Sequence, residues 1–130
     1  MNKEIKNWLE MVNYDLETAN QMFKTGRYVY VIFMCHLAIE KSLKSIVCLE
    51  TKKPPPKTHD LIYLITLGKM ELSQELLDFI GKINNAGVVT RYPEDLSKLV
   101  SSYPKIITHD YLAMTREVIK CLKRNPRLKQ

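Results

Sequence analysis

The segment from Tyr28 to Glu50 limits what this chain can become. Its first half, Tyr28-Val-Tyr-Val-Ile-Phe-Met-Cys, is β-branched and aromatic and has the local preference of a strand. The run then continues unbroken through His36-Leu-Ala-Ile-Glu-Lys-Ser-Leu-Lys-Ser-Ile-Val. There Leu43, Ile46 and Val47 take up helical spacing, and Glu40 precedes Lys44 by one turn in the favourable order. Strands usually stop at roughly 5–6 residues, so a run this long predicts a helix. A helix apolar nearly all round must be enclosed by others, which makes this the central helix of the fold.

The rest of the sequence supplies its neighbours. Ile5, Trp8, Leu9, Val12, Leu16, Ala19 and Phe23 trace one helical face, predicting a helix over 3–25 with Asn2 as N-cap and Gly26 just past its end. The Gly26-Arg27 break implies an antiparallel hairpin between the two long helices. Pro54-Pro55-Pro56 stops the central helix and favours an extended segment. A short helix is expected over 59–69, with Thr58 as N-cap and Asp60 in its first turn, and another from Ser73 to about Val88. Residues 95–104 read as short helix or loop, and the last helix as 107–123, ended by Asn125-Pro126. The fold class is all-α, an up-and-down bundle of four or five helices in one domain over 1–123, followed by a basic tail over 124–130.

Charge narrows the partners. The chain has 20 Lys and Arg against 14 Asp and Glu, a net charge of +6. Residues 1–50 are neutral, 51–60 carry +2, 61–100 carry −1 and 101–130 carry +5. The excess therefore sits in the proline loop and the tail. A basic tail can dock a phosphate backbone, or it can be a solvated end whose cations suit a helix C-terminus. No apolar run approaches the ~18 residues of a membrane span, and no secretory signal is visible at the N-terminus. Three widely spaced cysteines do not form a disulfide framework and fit reduced thiols, hence a cytoplasmic setting.

Catalytic signatures of the common kinds are absent: no Walker or dinucleotide glycine loop, no Gly-x-Ser-x-Gly, no Cys-x-x-Cys and no His-Glu-x-x-His, so neither a cofactor nor a metal is expected. Of the three histidines, His36 lies within the apolar helix and reads as a core residue. His59 and His109 each sit near a helix start, where an imidazole either caps its own helix or serves a site. Two clusters remain. Glu40, Lys41 and Lys44 form a polar patch on the central helix, read from that segment alone as an exposed stripe. Arg91-Tyr92-Pro93 joins a guanidinium suited to phosphate to a ring able to stack a base.

Taken in order, these pieces resemble the HEPN family, named for higher eukaryotes and prokaryotes nucleotide-binding. Trp8, Asp15-Leu16 and Ala19 resemble its first helix, and Gly26-Arg27-Tyr28 its Gly-x-Tyr turn. Ala38-Ile39-Glu40-Lys41-Ser42-Leu43-Lys44 is similar to its Ala-x-Glu-Lys-x-Leu-Lys signature. Thr58-His59-Asp60-Leu61 and Arg91-Tyr92-Pro93 are similar to two further stretches. The resemblance implies a helical bundle, commonly a homodimer, that acts near nucleotides or RNA. Many such proteins are encoded beside a minimal nucleotidyltransferase in two-gene toxin–antitoxin modules. Active relatives are metal-independent ribonucleases with an Arg-x(4–6)-His motif on late helices. This chain departs from that pattern: eight residues separate Arg27 from His36, on the wrong helix, Arg91 meets no histidine until His109, and Arg116 has none after it. Only a tertiary pairing of Arg91 with His59 or His109 would restore comparable chemistry.

Three functions follow as expectations. The first is binding of a nucleotide or RNA phosphate by Arg91, Tyr92 and His59 with Lys41 or Lys44, alongside a nucleotidyltransferase partner. The second is a ribonuclease toxin with Arg91 and His59 or His109 as its candidates. The third is a non-catalytic homodimeric interaction module.

Overall fold

The computed structural model describes residues 2–129. Six α-helices follow in order: α1 Lys3–Lys24, α2 Tyr28–Thr51, α3 Leu61–Leu67, α4 Gln74–Arg91, α5 Leu96–Ser102 and α6 Lys105–Lys123. A 3-10 turn, Pro126–Lys129, closes the described chain. The all-α bundle holds, with one helix more than the expected four or five, because the ambiguous stretch 95–104 folds as α5 between the Asp95 cap and Pro104. Among the described residues no helix is long and apolar enough to cross a membrane.

The caps explain the boundaries. Asn2 Oδ1 accepts from the Ile5 amide, and Gly26 takes φ +77°, a left-handed turn that suits a residue without Cβ. Ser73 caps α4 through the Leu76 amide. One cap differs from expectation. Asp60, not Thr58, is the N-cap of α3, its Oδ1 accepting from the Ile62 and Tyr63 amides. That frees His59 from the helix and lets it point elsewhere. α4 runs one turn past Val88 to Arg91, and only then does Pro93 hold Tyr92 out of helical geometry.

The long apolar helix is central, as its composition requires. α2 packs against α1, α3, α4, α6, α5 and the closing turn. Val31, Ile32, Cys35, Ala38, Ile39, Leu43 and Ile46 are fully buried around its circumference. Packing on all sides, worth ~25 cal/mol for each Å² of apolar surface removed from water, overrides the strand preference of its first half.

The tail is not a free basic end. Leu128 is buried, and Arg127 donates to Glu50 Oε2 at 2.9 Å and to the Gly68 carbonyl. Residues 126–128 thus close the bundle against the ends of α2 and α3.

α2 and α4 meet through a glycine. A Cβ built on Gly87 would overlap the ring of His36, whereas a Cβ on Gly81, in the same helix, would meet nothing within 4 Å. Gly87→Ala should therefore destabilise the fold by about 1–3 kcal/mol through overpacking. Gly81→Ala should stabilise it by about 0.5–1 kcal/mol through helix propensity. Urea unfolding of the two variants against the parent measures both signs.

Candidate functional site

Phe33, His36, Glu40 and Lys44 recur at spacings of three and four, so they line one stripe of α2. Two other elements bring side chains to that stripe. The loop after α2 turns at Lys57, where the Thr58 amide donates to the Pro56 carbonyl at 2.9 Å, and delivers His59. The last turn of α4 delivers Arg91, one turn beyond Gly87. Asn84 joins these arms: its Oδ1 accepts from the Leu61 amide at 2.9 Å, and its Nδ2 donates to Asp60 at 3.2 Å.

The Glu40 carboxylate is the meeting point. Its side chain is 6% exposed, so this patch is an interior group and not the exposed stripe its segment suggested. Lys44 Nζ stands 3.0 Å from Oε2. His59 Nδ1 donates to Oε1 at 2.8 Å, and Arg91 Nη2 reaches the same oxygen at 3.4 Å. An ionised carboxylate only accepts, so the hydrogen bond fixes the proton of His59 on Nδ1. Its Nε2 is left on the outer side of a ring that is 60% exposed.

His36 lies beneath, fully buried, with Nδ1 3.5 Å from Arg91 Nη2. A guanidinium only donates, so that contact is made by a neutral imidazole with its proton on Nε2. Burial pushes the His36 imidazolium down to about 4; Glu40 opposes this, and Arg91 adds to it.

Arg91 is the least satisfied member. Its guanidinium lies over the Phe33 ring at 4.8 Å, its two polar contacts are long, and its buried Nε has no partner. It also walls a cleft of about 300 Å³ lined by Val29, Tyr30, Phe33, Tyr92, Pro93 and Leu96. Tyr92 stands largely exposed at the rim.

Of the residues singled out from sequence, Arg91, Tyr92, His59 and Lys44 gather here. Lys41 and His109 do not. One residue past Glu40, Lys41 is turned by about 100° round the helix and instead pairs with the buried Asp15 of α1 at 2.8 Å. His109 is exposed on α6, with Asp110 at 3.9 Å and its ring near Phe23. Of the two tertiary pairings open to Arg91, the structure makes the one with His59, through Glu40. Sequence reasoning missed Phe33 and Tyr30 as cleft walls and Asn84 as the strut. The first two were legible in the spacing that carries His36 and Glu40; Asn84 had no signal, since its partners lie 23 and 24 residues away.

The HEPN domain profile matches residues 5–125. The chain belongs to the HEPN family. Two solved structures share its fold: TT1696 from Thermus thermophilus, 18% identical, with a TM-score of 0.79 over 95% of this chain and 98% of the other; and ST0689, an archaeal HEPN homologue, 16% identical, with a TM-score of 0.75 over 95% and 97%. No curated protein matches the chain. Within the HEPN fold, the Glu40 cluster joins the middle of α2, the loop before α3 and the last turn of α4 around one buried carboxylate.

The depressed His36 value sets a pH dependence. Unfolding returns the ring to its ordinary ~6.5, so the unfolded chain takes up a proton first as pH falls. Stability from this group is complete above about pH 6.5 and drains away down to about pH 4, by roughly 3 kcal/mol. His36→Gln should lack that part of the slope, as read by urea unfolding at about pH 7.5 and about pH 4.5.

Proposed function

We propose that this HEPN domain binds the phosphate of a nucleotide or RNA at Arg91, with His59 and Lys44 beside it and Tyr92 as a stacking platform, and that it works with a minimal nucleotidyltransferase in a two-gene toxin–antitoxin type of module. The observation that carries the binding half is the under-used guanidinium. Both Glu40 oxygens have shorter partners in His59 and Lys44, which leaves Arg91 with donors to spend on an incoming anion. The local charge agrees, since Lys44 and Arg91 face a single carboxylate. The adjoining cleft sits at the lower end of ordinary ligand pockets, ~300–1,000 Å³, and offers aromatic walls for a base. Family membership supports the partner half. The exposed Val88, Val89, Leu96 and Val100 near that cleft suit the face of a homodimer.

A second reading, a ribonuclease, is favoured by one observation, the His59–Glu40 hydrogen bond beside Arg91. In it His59 Nε2 takes the proton of a ribose 2′-hydroxyl, the 2′-oxygen bonds to phosphorus, the P–O5′ bond breaks, and water protonates the departing oxygen. Arg91 stabilises the charge that develops on the phosphate.

Calorimetric titration with AMP, ATP and short RNA decides the first reading. Arg91→Ala should weaken binding at least about tenfold, the loss of one charge-assisted pair. Unchanged affinity, or no binding by the parent, removes it. Incubating purified protein with RNA at neutral pH separates the second: cleavage that His59→Ala abolishes supports catalysis, and intact RNA rules it out.

A further inference from the structure

The proline loop carries three lysines and ends at the candidate site. Thr51 ends α2 eleven residues beyond Glu40, about 16 Å of helix. Since His59 touches Glu40, residues 52–59 must climb back along that length of α2. Lys52, Lys53 and Lys57 are all exposed on this return path, and no acid lies between Thr51 and His59. Three successive prolines hold the middle of the path extended and stiff, so its backbone loses little freedom when a ligand arrives.

Two of the acids that flank the path are engaged. Glu50 is held by Arg127 at 2.9 Å and Lys69 at 3.7 Å. Asp60 Oδ1 accepts from two α3 amides and from Asn84. Glu4 stands across the cleft that Lys52 and Lys53 border and, among the described residues, pairs with no cation. With Glu50 offset by Arg127, the three lysines outnumber Asp60 and Glu4, and the loop from the end of α2 to His59 is net positive.

We propose that Lys57, Lys53 and Lys52 form a phosphate track, and that the ligand of this domain is a single strand of RNA whose backbone runs from Arg91 along the proline loop. This rests on the Arg91 reading above and narrows it from nucleotide or RNA to a strand. A mononucleotide has one phosphate group to place and gains nothing from cations further along the loop. A strand carries a charge at every residue and meets each lysine in turn, while Tyr92 and Tyr30 at the far end offer faces for its bases.

The test uses the whole chain, its helicity checked by circular dichroism, and a variant with K52Q, K53Q and K57Q, all at exposed positions. A labelled single-stranded RNA of about six nucleotides and AMP are titrated at several salt concentrations. The triple variant should bind the RNA about tenfold more weakly, with the slope of log affinity against log salt reduced by about 2, since each single-strand phosphate contributes about 0.7. Its affinity for AMP should not change. Arg91→Ala should weaken both ligands. RNA affinity and slope unchanged in the triple variant would overturn the track while leaving the Arg91 site standing. Equal weakening of AMP and RNA in the triple variant would reduce the track to general attraction and overturn it. Loss of RNA affinity in the triple variant but not in Arg91→Ala would place the strand elsewhere and overturn both readings.

Discussion

A carboxylate buried in a helix that is apolar nearly all round has to be answered by opposite charge, and the answer it receives organises this molecule. Glu40 draws Lys44 from its own helix, His59 from the loop and Arg91 from α4. Burying such a group alone would cost several kcal/mol. Once it is there, removing one partner typically costs about 3–5 kcal/mol, because the remaining charges stay buried. The same group fixes the tautomer of His59 and holds the Arg91 guanidinium above Phe33. Stability and site geometry are thus one arrangement. The contacts that keep α4 and the loop against α2 are also those that leave an arginine with donors to spare.

Gly87 plays the complementary part. The carboxylate attracts, and the missing side chain permits. Without a Cβ at that position the His36 ring packs close against α4, and Arg91 comes within reach one turn later. Asn84, one turn earlier, ties the same helix to the start of α3. Three consecutive turns of α4 thus carry a strut, a gap and a ligand-facing cation.

Most of the helical framework was legible because its signals are local. Asn2, Gly26, Ser73 and Pro93 act on backbone within a turn or two, and the apolar face of α1 is visible in its spacing. What escaped depended on distance in sequence. The patch of Glu40, Lys41 and Lys44 read as one surface feature because nothing in the segment shows that Asp15 draws Lys41 to one side while His59 and Arg91 draw Glu40 to the other. Thr58 and Asp60 are both good N-caps; the choice fell to Asp60 because Asn84, 24 residues on, also binds it. The split of net charge pointed correctly to loop and tail as the basic segments, but not that Arg127 would be consumed inside the fold.

That internal use of Arg127 bears on the order in which the bundle is made. The guanidinium closes a contact across 77 residues to Glu50 and another across 59 to the Gly68 carbonyl, and Leu128 enters the core beside it. Contacts of such range cannot assist the early steps of folding, because the whole intervening chain must first be in place. On a ribosome, α1 and α2 can pair while the rest is still being made. The end of α2 then waits with Glu50 held by the exposed Lys69 alone until residues 126–128 emerge, so the bundle is sealed by a segment synthesised long after the helix it covers.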